Sequence, residues 1–248
     1  MLCIHDAALR TWHARLVAET RSTGLRARVR AELTEEIKAI ARRQLATTGA
    51  DVSLRAVARE LGMVSSAMYR YFASRDELLT ALIIDGYHAL GSVAERGDAA
   101  VGRTDLTGRF MAVGRAVRAW AVAHPAEYAL LYGSPVPGYQ APRDTVEPAA
   151  RVALVFGDIL RDAQNQGRFA DDPPVRLPEH VRTDLHRAAS GPVFHGIPEP
   201  VVDRAIAAWV QLFGVINFEL FGHLVGTIDH AEDYYEHRLQ ILAGEIGL

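Results

Sequence analysis

The chain has 248 residues, 49% of them hydrophobic and 23% charged, which is enough for a sizeable core in one large domain or in a small one and a larger one. The single cysteine, Cys3, excludes an internal disulfide framework and suits a reducing cytoplasmic setting. No uninterrupted apolar run reaches about 18 residues and the start MLCIHDAALR lacks a leader's order, so neither membrane span nor signal peptide is expected. The formal net charge of −3 is unevenly spread, with 13 basic against 7 acidic residues over Met1–Arg75 and 14 against 23 thereafter, so a basic head sits on an acidic body and suits a polyanionic partner.

Residues 1–23 carry Arg10, Arg15 and Arg21 and read either as a basic arm or as an extra packed helix or fraying end. From Leu25 to Thr48, apolar residues at Val29, Leu33, Ile37, Ile40, Ala41 and Leu45 recur by threes and fours, and Gly49 closes the helix. Ser53 opens a short helix through Leu61, ended by Gly62. A second short helix spans about Ser65 to Phe72. Ser74 and Glu77 then match a capping box at the head of a long helix that runs to about Ala94. Glu95–Thr104, rich in Gly, Asp and Arg, reads as a loop.

Six more helices are expected, over about Leu106–His124, Pro125–Tyr132, Glu147–Gln166, Glu179–Ala189, Pro200–His223 and His230–Ile246, with Pro125 at a first helical position. The segments GSPVPGYQAP, DDPPVRLP and SGPVFHGIPEP separate them. Strand signals are nearly absent. The fold class is therefore all-α.

Ser53–Leu61, the Gly62 turn and Ser65–Phe72 have the shape of a helix-turn-helix. Leu54, Val57, Ala58 and Leu61 make one inward stripe, and Met68 and Phe72 another. Ser65 with Tyr69, and Ser66 with Arg70, then point outward. Such a face enters a major groove, where Arg pairs with guanine and hydroxyls hold phosphates. Spacing alone leaves a plain helical hairpin open. The basic surplus and the adjacent Tyr69 and Arg70 favour nucleic acid.

The stretch TGLRARVRAELTEEIKAIARRQLATTGADVSLRAVARELGMVSSAMYRYFASRDELLTAL resembles the DNA-binding domain of the tetracycline-repressor-like (TetR) family of bacterial regulators. The resemblance rests on Gly49, Ser53-Leu54-Arg55, Val57-Ala58, Leu61-Gly62, Met68-Tyr69, Phe72, Ser74 and Glu77-Leu78-Leu79 in order. It implies that Ser53, Tyr69, Tyr71 and Arg75 hold phosphates, and that Arg55, Ser65, Ser66 and Arg70 lie nearer bases. Val64 departs from the family's common polar residue. If Ser65 caps the helix in its place, Ser65 is lost as a reader.

The resemblance also implies a three-helix reading domain over 24–80 and a larger helical ligand-binding and dimerisation domain over 81–248. HPAEYALLYGSPVPGY and AWVQLFGVINFELFGH look like a C-terminal subtype named for a Trp-His-Gly signature, with Trp209 and Gly214 present and Phe213 where His is expected. The helix Val201–Phe221 is apolar on more than one face, which suits both a core and a partner subunit.

A small-molecule pocket is expected among Phe110, Met111, Trp120, Tyr128, Tyr132, Phe156, Trp209 and Phe213, although aromatics at helical spacing also serve as plain core. GSPVPGYQAP borders that pocket or simply connects two helices.

No catalytic motif appears, and no cofactor is expected. His223, His230 and His237 recur every seven residues, but Gly222 and Gly226 break the helix between them, so no metal site is expected. The paired acids Asp171 and Asp172 precede prolines in a loop and read as solvated. The expected protein is a homodimeric repressor that reads a palindromic double-stranded DNA site and releases it on binding a small apolar effector. A helical protein-interaction module or an enzyme with a helical body is the alternative.

Overall fold

A computed structural model describes residues 4–169 and 177–248, with side chains from Leu25 onward. Cys3, the side chains of Arg10, Arg15 and Arg21, and Asp171 with Asp172 lie outside the described residues. Among the described residues the chain is helical and contains no strand. It divides into two compact units, one ending at Leu79 and the other beginning at Thr80.

In the first unit, α1 (Ile4–Thr48) leads into α2 (Leu54–Glu60) and α3 (Ser65–Met68). The helix opened at sequence level over Ser65–Phe72 is thus shorter in its regular part, and Tyr69–Tyr71 form a turn. Gly49 and Gly62 adopt positive φ, at 61° and 66°. Both are turn positions where a side chain would be strained. Ile37, Ile40, Ala41 and Leu45 of α1 are buried with Leu54, Val57 and Ala58 of α2 and with Met68 and Phe72. The three- and four-residue spacing therefore becomes a small shared core from Ile37 onward, while Leu25 and Val29 stay exposed.

Helix α4 (Arg75–Ala99) starts on a side-chain cap, in which the Glu77 amide donates to the Ser74 hydroxyl at 3.1 Å. Glu77 turns back to accept from the amide of Ala73, one residue earlier than in the standard box. The expected loop at Glu95–Thr104 is corrected: α4 continues to Ala99. Its Gly and acidic residues serve helix contacts. Gly97 stands where a β-carbon would lie 3.0 Å from the Ala112 carbonyl oxygen. Asp98 receives the Arg109 guanidinium at 2.7 Å, and Glu95 pairs with Arg151 at 2.7 Å.

The second unit continues with α5 (Leu106–Ala123), α6 (Pro125–Tyr132), α7 (Val146–Asn165), α8 (Glu179–Ala189), α9 (Glu199–Leu220) and α10 (Ala231–Ile246). Asp105 caps α5 through the Gly108 amide at 2.8 Å, and Pro125 begins α6. Helix α5 is central and packs on α6, α7, α9 and α10. At Gly114 a β-carbon would meet the Leu239 side chain at 2.3 Å, so α10 can press close to α5. The Tyr235 hydroxyl donates to the Gly114 carbonyl at 3.2 Å.

Helix α9 is long and apolar enough to cross a membrane by length and composition. It packs against α5, α8 and α10, and its Glu219 pairs with Arg118 of α5 at 2.7 Å. Between α9 and α10 the chain turns at Gly222 and Gly226, both at positive φ. No metal-binding group of His, Cys, Asp and Glu occurs among the described residues.

Candidate nucleic-acid interface and the C-terminal cavity

The candidate reading face is built from both ends of α3. Val64 is the residue before the helix and supplies no side-chain cap, so the Ser65 hydroxyl is not spent on that task. Ser65, Ser66, Tyr69 and Arg70 are all exposed, while Met68 and Phe72 on the opposite side are buried. The division follows the four-residue period, and the buried pair fixes which way the polar four point.

Ser53 sits before α2; its hydroxyl accepts from the Ala56 amide at 3.4 Å and its own amide donates to the Gln44 side-chain oxygen at 3.3 Å. Arg55 is exposed in the first turn of α2.

Tyr71 and Arg75 are more committed. The Arg30 guanidinium lies 5.4 Å from the Tyr71 ring centroid, a cation–π contact. Arg75 donates to the Ala50 carbonyl at 2.7 Å and lies 3.6 Å from Asp76. Arg75 therefore ties the start of α4 to the turn after α1. Arg30 was not singled out from the sequence. Its place one face-repeat before Ile37 and Ala41 was the available signal.

In the second unit, an apolar cavity of about 300 Å³ opens among α5, α7 and α9 and the segment before α9. Phe110, Phe156 and Trp209 line it, together with Val193, Phe194 and Ala205. Tyr132 and Phe213 stand beside it in a ring series: Phe110 to Phe156 at 5.3 Å, Phe156 to Trp209 at 5.9 Å, Trp209 to Phe213 at 4.4 Å and Phe213 to Tyr132 at 4.5 Å. Tyr128 is fully buried against Tyr132, and burial pushes both phenols far up from their ordinary value. Met111 and Trp120 are buried core residues away from the cavity wall, Trp120 stacked on His124.

Val193 and Phe194 were missed because they lie in a loop with no period. That loop is held by α7: a β-carbon at Gly157 would stand 2.2 Å from the Val193 carbonyl oxygen, and Arg161 donates to the same oxygen at 3.4 Å.

Residues 37–82 match the model of bacterial regulatory proteins of the tetR family, and residues 110–242 match the tetracyclin repressor-like C-terminal domain. The chain belongs to the TetR family. Its relatives include the HTH-type transcriptional regulators Rv1816 of Mycobacterium tuberculosis and Mb1846 of Mycobacterium bovis. Each is 40% identical over 210 residues, covering 83% of this chain and 88% of the relative. The solved structure of SCO4313 superposes with a TM-score of 0.71 at 34% identity, over 88% of this chain and 98% of that one. PfmR of Thermus thermophilus, a TetR-family regulator, shares the fold at a TM-score of 0.54 and 17% identity, over 83% of this chain and 96% of its own.

This TetR-family chain is accordingly a DNA-binding transcriptional regulator and not an enzyme. The helix-turn-helix geometry lies within the segment that matches the tetR-family model.

Proposed function

We propose that this TetR-family regulator is a cytoplasmic homodimer that represses transcription from a palindromic operator and releases it when a small apolar ligand enters the C-terminal unit. The observation that carries the reading is the exposed set Ser65, Ser66, Tyr69 and Arg70 over the buried Met68 and Phe72. In this reading Arg70 and Arg55 approach base edges with Ser65 and Ser66, and Ser53, Tyr69, Tyr71 and Arg75 hold phosphates. The domain limits follow the same roles: an extension over 1–23, a reading domain over 24–80 and an effector and dimerisation domain over 81–248.

Two half-sites need two reading heads about 34–36 Å apart. The exposed Val210 and Phe218 of α9, with Phe221 just past its end, supply the apolar face for pairing two copies. The cavity at Trp209 is walled by apolar side chains, and this favours an uncharged effector held by shape and desolvation. The Trp-His-Gly subtype rests on Trp209 and Gly214. A ligand that favours one arrangement of the C-terminal helices lowers operator affinity, and operator lowers ligand affinity by the same factor.

A mobility-shift titration of the full chain with the DNA upstream of its own gene tests the proposal. Sequence-selective binding that weakens steeply with salt is expected. Binding with no site preference and little salt dependence would overturn it. Arg70→Ala is expected to relax preference at one base pair of each half-site; unchanged affinity and preference would remove Arg70 from the readers.

A further inference from the structure

The ring series that begins at the apolar cavity ends on α4, where Tyr87 meets Tyr132 edge to face at 6.1 Å. Tyr87 also lines a different space, a cleft of about 640 Å³. Ile83 and Tyr87 of α4, Leu131 of α6, Val136 and Tyr139 of the following loop, and Val146 of α7 form its main walls.

The cleft differs in chemistry from the cavity at Trp209. Two phenols converge on it. The Tyr139 hydroxyl lies 2.9 Å from the Thr80 hydroxyl oxygen, which pins the loop to α4. The Tyr87 hydroxyl makes no hydrogen bond to any described residue, although its ring is half-buried. Burial raises the Tyr87 pKa, and the neighbouring Tyr139 raises it further, so the phenol keeps its proton and can donate it. No Lys, Arg, His, Asp or Glu side chain lines the cleft among the described residues.

We propose that this cleft is a second small-molecule site, separate from the apolar cavity, that takes a neutral molecule bearing a carbonyl oxygen on an apolar body. A partly desolvated hydroxyl without a partner gains most from an acceptor brought in by a ligand. A carbonyl oxygen has two lone pairs: one accepts from Tyr87, and the other accepts from the Tyr139 hydroxyl when Thr80 is the donor in the Thr80–Tyr139 contact. Ile83, Leu131, Val136 and Val146 cover the hydrocarbon part. A carboxylate or ammonium group is disfavoured because no opposite charge meets it there. The inference stands on the cleft alone and does not depend on how the chain reads DNA.

Titration of the full-length protein with cyclohexanone, followed through the methyl resonances of Ile83 and Val136, tests it. Saturable shifts at both residues are expected. Methylcyclohexane, which keeps the ring and lacks the carbonyl, and cyclohexanecarboxylate are expected to leave these resonances in place. Tyr87→Phe keeps the ring contact with Tyr132 and removes only the hydroxyl, so it is expected to weaken cyclohexanone binding about tenfold. Ala205→Leu narrows the apolar cavity and is expected to leave the Ile83 response intact. Three results would each overturn the proposal: no shift up to the solubility limit of cyclohexanone, equal shifts with methylcyclohexane, or a response lost in Ala205→Leu but kept in Tyr87→Phe.

Discussion

Arg30 of α1 donates from Nη2 to the carbonyl oxygen of Arg70 at 2.7 Å, forty residues later in the chain. The acceptor is the backbone of one of the residues proposed to read DNA. The same guanidinium covers the Tyr71 ring. One side chain on the first helix therefore holds the end of the reading turn from two directions, and leaves the Arg70 side chain exposed.

Arg30→Ala is expected to cost about 1 kcal/mol of stability, since the contact is charged but open to water. Operator affinity should fall further than the loss of one positive charge explains, because Arg70 and Tyr71 lose their fixed backbone. Urea melts and mobility shifts at one salt concentration, compared with Arg26→Ala as a charge control, check both parts. Equal effects from the two variants would remove the anchoring role.

A second expectation concerns acid. Arg109 is almost wholly buried and bridges Asp98 and Asp162, each at 2.7 Å. Burial by itself would raise the Asp162 pKa, but hydrogen bonds from Arg109 and Arg103 outweigh it and hold the group below the ordinary carboxylate range. Asp162 thus stabilises the fold fully above its unfolded pKa of about 4, and the contribution fades as pH falls through the lower folded value. Urea midpoints of the wild type are expected to drop below about pH 4, and Asp162→Asn should be less stable at neutral pH with a flatter acid limb. Arg109→Met removes the ion partner of the half-buried Asp98 and leaves Asp162 with Arg103 alone, and is expected to cost about 1–3 kcal/mol.

Gly157→Ala places a methyl against the Val193 carbonyl oxygen, which is backbone and cannot rotate away. It is expected to cost about 1–3 kcal/mol and to displace Val193 and Phe194 from the cavity. A lower thermal midpoint with red-shifted emission from Trp209 would report it. Gly214→Ala makes a useful contrast, since nothing lies within 4 Å of its added methyl and no such loss is expected within the isolated protomer.

Val210→Glu and Phe218→Glu alter exposed positions of α9. Both are expected to retain helical circular dichroism and to sediment as monomers at concentrations where the proposed wild-type dimer forms. Their affinity for DNA with two half-sites should drop towards that for one. A dimer that survives both substitutions would move the interface elsewhere.

Much of this architecture is legible locally. Ser53, Gly49, Gly62, Asp105 and Pro125 mark helix ends because each meets a backbone need that its neighbours cannot. Met68 and Phe72 announce the buried side of the reading turn by their spacing. The misreading at Glu95–Thr104 has a physical cause. Gly97 and Asp98 resemble loop chemistry in isolation, yet in the fold they let α5 approach α4 and pair with Arg109. Likewise, Phe110, Phe156 and Trp209 stood out as aromatics, whereas Val193 and Phe194 had no period to reveal them.

The sequence alone therefore determined the helical class, the helix-turn-helix and the outward face of Ser65, Ser66, Tyr69 and Arg70. These depend on local hydrogen bonding and on the 3.6-residue repeat, which any single stretch carries within itself. Only the tertiary structure decided that Arg30 would secure Arg70, that Gly157 would seat Val193, and that Tyr87 would face a cleft. Those contacts join residues 36 to 59 or so apart through close packing and single hydrogen bonds, and no local period encodes which distant partner a side chain will meet.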